Sequence, residues 1–187
     1  VQDTKDLGLI PEPEIIQREQ RYGSRYAILR QPDGDQFNEK LGRIAALASR
    51  GKQALPELVE ALEHEDAAVR YWAATGIGNV GTDAVSLAER MSETLSDPSA
   101  SVRVAAARAL CRMDKPDKAL PVLTETLQGP HQWARLHAAI VLDEIGEMAR
   151  PVEPALKQAL EGQPNKYITR VANRALNVLN GTNNTVR

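Results

Sequence analysis

One pattern recurs four times along this chain: VRYWAATGIGNVG at 69–81, VRVAAARALCRMD at 102–114, ARLHAAIVLDEIG at 134–146 and ITRVANRALNVLN at 168–180. Successive copies start 33, 32 and 34 residues apart. A nearly constant period of this length predicts a stacked array of structural repeats. Such an array offers an extended surface, so the sequence points to a binding role without naming a partner.

Each repeat contains two amphipathic segments, which predicts a helical hairpin. Val102, Ala106 and Leu110 fall on one face of the quoted segment, four residues apart. Leucines recur at the end of the segment that precedes it, at Leu62, Leu95, Leu127 and Leu160. We therefore predict an all-α superhelix of about four to five helical hairpins, in which Leu110 and Leu142 are fully buried.

Three regions are expected along the chain. Residues 1–35 form an N-terminal extension with a short helix near Glu12–Arg21 and an irregular link, in which Gln31–Asp35 is read as a turn. Residues 36–180 form the repeat array, which begins with a degenerate half-unit. Residues 181–187 are expected to be a disordered tail.

Composition and cysteine content exclude several function classes. The formal net charge is −2, so strong binding to nucleic acid is not expected. The sequence contains no apolar run of 18 residues, so membrane insertion is not expected. Histidine and cysteine are too few and too scattered for metal-ligand spacing, and we expect no metal and no cofactor. Cys111 stands at a small-residue position of a helix, which favours a buried, inert thiol.

The second-helix text V-R-x-x-A-A-x-A-L resembles HEAT repeats, in particular the short HEAT-like type first named from phycobilisome lyases. This resemblance covers about Gln36 to Asn180 and implies an α-solenoid of HEAT/armadillo type. DLGLIPEPEI at 6–15 and WARLHAAIVLDEIGEMARP at 133–151 are similar to the C-terminal HEAT region of bacterial arylsulfatase-type sulfatases. The sulfatase resemblance implies that the chain is a non-catalytic C-terminal piece of such an enzyme and is exported or periplasmic. If the sulfatase resemblance does not hold, a cytoplasmic protein is expected.

The nucleophile motif of those sulfatases is Cys or Ser followed by x-Pro-x-Arg. Cys111 is followed by Arg112, Met113, Asp114 and Lys115, which does not match. The chain by itself is therefore expected to have no hydrolase activity and no catalytic residue.

An arginine recurs at one repeat position, as Arg70, Arg103 and Arg135. One interpretation is an anion-binding ladder. The other is a structural ladder, in which each guanidinium bonds carboxylates or carbonyls of adjoining turns, such as those of Asp66 or Asp97. Periodic recurrence favours the structural ladder, because every repeat must form the same turn.

Positions that vary between repeats are the candidates for binding. In a HEAT-type stack the second helices line the concave face, where we expect Tyr71, Trp72, Thr75, Arg108, Arg112, Trp133, His137, Tyr167, Arg170 and Arg174. Trp, Tyr and Arg dominate the energetics of protein interfaces. We expect Trp72 and Trp133 to be at least partly exposed there and to contact a covering partner. The alternative is that the rings pack against neighbouring helices.

Three functions remain open from the sequence. The first is a docking or scaffold module that binds a protein partner or an upstream domain of the same polypeptide. The second is polyanion binding, with DNA or a sulfated glycan on the concave arginines, which the low net charge disfavours. The third is a HEAT-like bilin lyase, disfavoured because no nucleophile–base pair is evident.

Overall fold

The computed structural model describes residues 12–23, 32–161 and 165–186. Within these ranges the α-helices are α1 (Glu12–Tyr22), α2 (Pro32–Leu47), α3 (Leu55–Ala61), α4 (Ala67–Val80), α5 (Ala88–Thr94), α6 (Ala100–Arg112), α7 (Pro116–Gln128), α8 (Gln132–Glu144), α9 (Glu153–Gln158) and α10 (Lys166–Asn180). Short 3-10 segments at Gly51–Ala54, Gly81–Leu87 and Gly146–Val152 precede α3, α5 and α9. None of the residues in these ranges lies in a β-strand.

The helices pair into the predicted hairpins. Helix α2 stands alone as the partial unit, and the pairs α3/α4, α5/α6, α7/α8 and α9/α10 follow it in the described part of the chain. Each pair has a first helix and a second helix. This confirms an all-α solenoid of HEAT/armadillo type.

One continuous hydrophobic cluster runs through the stack from Ile44 to Leu179. Leu110 and Leu142 are only 1% and 0% exposed, which confirms their predicted burial. Alanines fill much of the space between the larger side chains, and Ala73, Ala106 and Ala138 are all fully buried in the second helices. The core is therefore built from aliphatic side chains, with aromatic rings confined to its border.

Small residues bring successive second helices into direct contact. A Cβ atom added at Gly78 of α4 would lie 3.0 Å from the Cβ of Ala109 in α6. Close packing continues between α6 and α8 and between α8 and α10, whereas successive first helices scarcely touch. The second helices are thus the more crowded layer, and the stack curves toward them.

The ends of the helices follow from local chemistry. Asp66 and Asn165 cap α4 and α10 by accepting a bond from the N–H two residues on, at 2.7 and 3.0 Å. Ser99 takes the corresponding place before α6 but makes no side-chain capping bond. Gly81 and Gly146 turn the chain into the next unit with φ of +69° and +55°, which glycine adopts without strain.

Two details differ from the sequence-based expectation. Helix α2 begins at Pro32 rather than near Gln36, so the turn predicted over Gln31–Asp35 is wrong from Pro32 onward. Proline is tolerated in a first helical turn, where its missing N–H has no helical partner. Pro121 aligns with Pro56 and Pro154 of other repeats, which predicts a place near the start of a first helix; instead, α7 begins at Pro116 and Pro121 lies inside it.

The structure describes only part of each end of the chain. Near the N-terminus the structure has the helix α1, at Glu12–Tyr22. The predicted link lies outside the described residues over 24–31, as do residues 1–11. The tail was expected to be disordered; residues 182–186 are irregular in backbone, yet they are hydrogen bonded to α10.

Replacing Gly76 and Gly42 by alanine should change stability in opposite directions. Alanine in a helix interior is normally favoured over glycine by about 0.5–1 kcal/mol. A Cβ at Gly42 would meet nothing within 4 Å, so Gly42→Ala should stabilise the fold. A Cβ at Gly76 would lie 2.9 Å from the Cα of Ala48, so Gly76→Ala should destabilise it by about 1–3 kcal/mol. Urea unfolding followed by far-UV circular dichroism measures both; equal stabilisation by the two changes would contradict the close packing.

Candidate interaction surface

The variable residues of the second helices lie on one stripe of each helix, at spacings of three or four residues. Positions that correspond between repeats therefore form rows across α4, α6, α8 and α10. One such row contains Thr75, Arg108, Ile140 and Arg174. The structure divides these rows into a filled half and an open half.

Three rings fill the first half. The ring centroids of Tyr71 and Trp72 lie 5.5 Å apart and those of Tyr71 and His137 lie 5.7 Å apart, both pairs edge to face. Tyr71 and Trp72 belong to α4 and His137 to α8, so the rings meet across α6. Val104 and Ala105 of α6 are buried, with 0% and 2% exposure. We call Tyr71, Trp72 and His137 the ring cluster; it shows that the second-helix layer is concave.

His137 is an integral part of this packing rather than a free ligand. Burial lowers the pKa of its imidazole to about 4, and the positive charge of Arg108 acts in the same direction against the opposing charge of Glu144. The ring is therefore neutral at pH 7. Tyr71 and Trp72 are half-buried and pack against the hydrophobic core. Trp72 is thus partly exposed at the border of the core, and its contact with a partner stays a prediction.

An ion network closes the other end of the filled half. Arg108 donates to both carboxylate oxygens of Glu144, at 2.7 and 2.8 Å, and Arg112 donates to the same carboxylate at 3.0 Å. Asn79 accepts a further bond from Arg108, and the carbonyl of Gly78 accepts one from Arg112. We call Arg108, Arg112 and Glu144 the ion network. It joins α4, α6 and α8.

The ion network engages two of the predicted anion ligands with a single carboxylate, which offsets one of their two positive charges. Burial alone would raise the pKa of Glu144, but the hydrogen bonds and charges of Arg108 and Arg112 outweigh it and hold that pKa below its ordinary value. Glu144 is thus ionised at neutral pH and compensates the arginine charge. The pairing had a signal in the sequence, because Arg112 and Glu144 occupy the same position in neighbouring repeats.

The open half lies on α8 and α10. Trp133 and Tyr167 stand at corresponding positions in the first turns of these helices, and each is 53% exposed. Ile140 and Val178 on the same stripes are also exposed. We define the open face by residues of α8 and α10 that share these stripes: Trp133, Ile140, Tyr167, Arg170, Arg174 and Val178.

Cations surround the aromatic rings of the open face. Lys166 and Arg170 lie over the ring of Tyr167, with 5.6 and 5.9 Å between the cationic atom and the ring centroid. Arg174 lies 3.3 Å from a carboxylate oxygen of Asp143, yet its side chain is 76% exposed. The open face therefore combines accessible apolar area with positive charge.

The ten predicted binding residues are thus separated into groups. Three form the ring cluster, two are held in the ion network, and four lie on the open face. Thr75 is half-buried on α4 and belongs to none of these groups. Sequence comparison between repeats found the positions but could not show which of them were already filled from a neighbouring repeat.

Arg70, the first arginine of the recurrent ladder, is hydrogen bonded to a turn of its own repeat and to a turn of the next repeat. Arg70 forms a two-point contact with the carboxylate of Asp97, at 2.7 and 3.0 Å. Its remaining guanidinium nitrogen donates to the carbonyls of His64 and Glu65, both at 2.8 Å. The side chain is only 14% exposed. The guanidinium thereby ties the turn before α4 to the turn before α6.

The other two ladder arginines also bond turn carbonyls. Arg103 donates to the carbonyls of Asp97 and Pro98, at 2.8 and 3.1 Å. Arg135 donates to the carbonyl of Leu127 at 2.9 Å, and burial lowers the pKa of its guanidinium. These contacts are those of a structural ladder.

The structure gives no support to a reactive centre. Cys111 is 1% exposed, which confirms its predicted burial. Burial, together with the charge of Glu144, raises the pKa of its thiol to about 11. Over residues 12–23, 32–161 and 165–186, no cluster of three or more His, Cys, Asp or Glu side chains is placed to hold a metal ion. The helices of the same residues are all too short or too polar to cross a membrane.

Comparison with known proteins agrees with the fold. Residues 87–177 match the family model described as HEAT repeats. The chain is also similar to SkfG, an uncharacterized protein of Bacillus subtilis (strain 168), with 39% identity over 85 residues. That similarity covers 46% of this chain and 48% of SkfG, so the match spans about half the length of that relative.

Solved structures with the same fold include designed repeat proteins. A designed armadillo repeat protein in complex with the peptide (KR)4 superposes with a TM-score of 0.55 at 17% identity, over 94% of this chain and 90% of that one. An engineered protein from the Northeast Structural Genomics Consortium gives 0.54 at 20% identity, over 81% and 76%. These likenesses show the solenoid fold. The chain therefore has the all-α solenoid fold of HEAT/armadillo type.

His137 should make the stability of the fold depend on pH. The folded protein holds this ring neutral down to a pKa of about 4, whereas an unfolded histidine takes up a proton near its ordinary value of 6.5. The unfolded state therefore binds more protons between these values, and stability falls as the pH decreases. Between about pH 7.5 and about pH 5.5, proton uptake by His137 in the unfolded state should lower the free energy of unfolding by about 1 kcal/mol.

Urea unfolding at the two pH values, compared between the wild type and His137→Val, isolates this contribution. Valine is the residue at the corresponding position of α10, Val171. The variant should lose about 1 kcal/mol less on acidification than the wild type. An identical loss in both proteins would contradict a neutral, buried His137.

Proposed function

We propose that this chain is a non-catalytic protein-interaction module that docks a partner polypeptide on the open face. The observation that carries the proposal is the pair Trp133 and Tyr167, which occupy corresponding positions of α8 and α10 and are each half exposed. The corresponding residues of α4 and α6, Ala68 and Ser101, are small and buried. Exposed aromatic side chains on a concave surface are typical of a site that a partner covers.

The chemistry of the open face indicates the kind of partner. Apolar area from Ile140 and Val178 favours aliphatic or aromatic side chains in the ligand. The cations Lys166 and Arg170, together with the exposed Arg174, favour acidic residues beside them. The partner segment is therefore a polypeptide that combines apolar and acidic residues, either on another protein or on an upstream domain of the same polypeptide.

A structural neighbour supports peptide docking by this fold, although its peptide has the opposite charge to the one that we propose for this chain's partner. The designed armadillo repeat protein is solved with the basic peptide (KR)4. The open face of this chain is itself basic, so an alternating Lys–Arg peptide should be repelled rather than bound.

The other functions considered from the sequence have less support. Polyanion binding was based on concave arginines, but Arg108 and Arg112 already share the carboxylate of Glu144. The bilin-lyase alternative lacks a nucleophile, since Cys111 is buried. The comparisons lend no support to the sulfatase or lyase resemblance, and attachment to a sulfatase-like enzyme stays a prediction.

Peptide binding tests the proposed docking surface. Two fluorescein-labelled peptides of equal length and leucine content are compared, one with glutamate and the other with lysine at the charged positions, alongside (KR)4. Fluorescence anisotropy should give a dissociation constant for the glutamate peptide at least about tenfold lower than for the lysine peptide. Trp133→Ala should weaken binding of the glutamate peptide by about 2 kcal/mol, or roughly thirtyfold.

Val85→Ala is the matched control. Val85 is exposed to 46% but lies in the 3-10 segment before α5, in the layer of first helices. It should leave peptide binding unchanged. If Val85→Ala and Trp133→Ala weaken binding equally, or if none of the three peptides binds, the open face is not the docking surface.

A further inference from the structure

The outer face of α10 carries two asparagines where α4 and α6 carry small residues and where α8 carries Ala139 and Asp143. In α4 and α6 the positions that face the next unit are held by Ala74, Gly78, Ala107 and Cys111, which are all buried. The corresponding positions of α10 are Asn173 and Asn177. This face of α10 is therefore polar at the two places where a further second helix would need close contact.

The two asparagines bind the main chain of a single residue in the segment 182–186. The side-chain oxygen of Asn177 accepts a bond from the backbone N–H of Asn184 at 3.0 Å. The side-chain nitrogens of Asn177 and Asn173 both donate to the backbone carbonyl of Asn184, at 2.9 and 2.8 Å. Both hydrogen-bonding groups of that residue's backbone are thus satisfied by side-chain amides.

The chain turns back toward these amides by a defined helix ending. Gly181 has a left-handed conformation, and the backbone N–H of Thr182 donates to the carbonyl of Asn177 at 3.0 Å. The hydroxyl of Thr182 also donates to the side-chain oxygen of Asn177, at 2.8 Å. Asn177 therefore holds the segment both at the helix end and at Asn184, so the segment lies along α10.

We propose that Asn173 and Asn177 form a binding site for the main chain of an extended polypeptide, and that residues 182–186 are its ligand in cis. The bonds reach only backbone atoms of Asn184, so the site does not depend on the side chain at that position. Occupied in this way, the segment closes the outer face of α10 against the approach of another helix. This site is separate from the open face and does not rest on the docking function.

Amide hydrogen exchange measured by NMR tests the site directly. In the wild type, the backbone N–H of Asn184 should exchange at least about tenfold more slowly than in a free peptide of the same sequence. Asn177→Ala should remove this protection, because it removes the acceptor. Asn184→Ala should retain it, because the residue is bound only through its backbone.

Asn180→Ala is the matched control on the same helix. The side-chain amide of Asn180 is directed toward Glu153 of α9 and not toward the segment. This variant should leave the exchange of Asn184 unchanged. Free-peptide exchange in the wild type, or loss of protection in Asn184→Ala, would overturn the proposal.

Self-association of the protein tests whether residues 182–186 close the outer face of α10. The double variant Asn173→Ala with Asn177→Ala gives α10 a face like that of α6, with small apolar residues at both positions. Alanine suits a helix interior, so the variant should fold. Sedimentation equilibrium should show stronger self-association for the double variant than for the wild type or Asn180→Ala. Equal association in all three would overturn the closing role, while the exchange data decide the binding site.

Discussion

Close contact between successive second helices is the constraint on which the rest of the structure depends. Gly78 lies against Ala109 with no room for a larger side chain. Successive helices among α4, α6, α8 and α10 pack against one another more extensively than successive first helices do. We infer from this difference that the stack curves toward the second helices. A concave layer then allows side chains from α4 and α8 to meet across α6.

The division of the concave layer follows from that curvature. Where α6 presents the buried Val104 and Ala105, the rings of Tyr71 in α4 and His137 in α8 meet, with Trp72 beside them, and fill the surface. Farther along the same helices, Glu144 bridges two arginines of α6 and offsets one of their two charges. On α8 and α10 no ring contact joins Trp133 to Tyr167 among the described residues, and both side chains remain accessible. Binding is therefore expected where the repeats have not filled their own surface.

Sequence periodicity predicted the features that each repeat forms with its own residues. The hairpins and the burial of Leu110 and Leu142 depend on local spacing, and both are confirmed. The start of α2 at Pro32 was missed because a proline-containing first turn resembles a loop in composition. The boundaries of an irregular terminal unit have no second copy in the chain against which to be compared.

The candidate surface was predictable only in part, because its state depends on contacts between repeats. Trp72 and Trp133 are similar in sequence context, yet one packs beside Tyr71 and the other is exposed. What separates them is packing: Tyr71 covers Trp72 and itself meets His137 of another repeat, in α8. The asparagine site on α10 was missed for the same reason, since nothing in the local sequence shows that residues 182–186 return to that face.

Acrylamide quenching of the two tryptophans tests the central claim most directly, that the concave layer has a filled half and an open half. Trp72→Phe leaves Trp133 as the single fluorophore, and Trp133→Phe leaves Trp72. In the folded protein, the quenching constant of Trp133 should exceed that of Trp72 several-fold, and the two should become equal in urea. Equal quenching in the folded state, or stronger quenching of Trp72, would contradict the division of the surface.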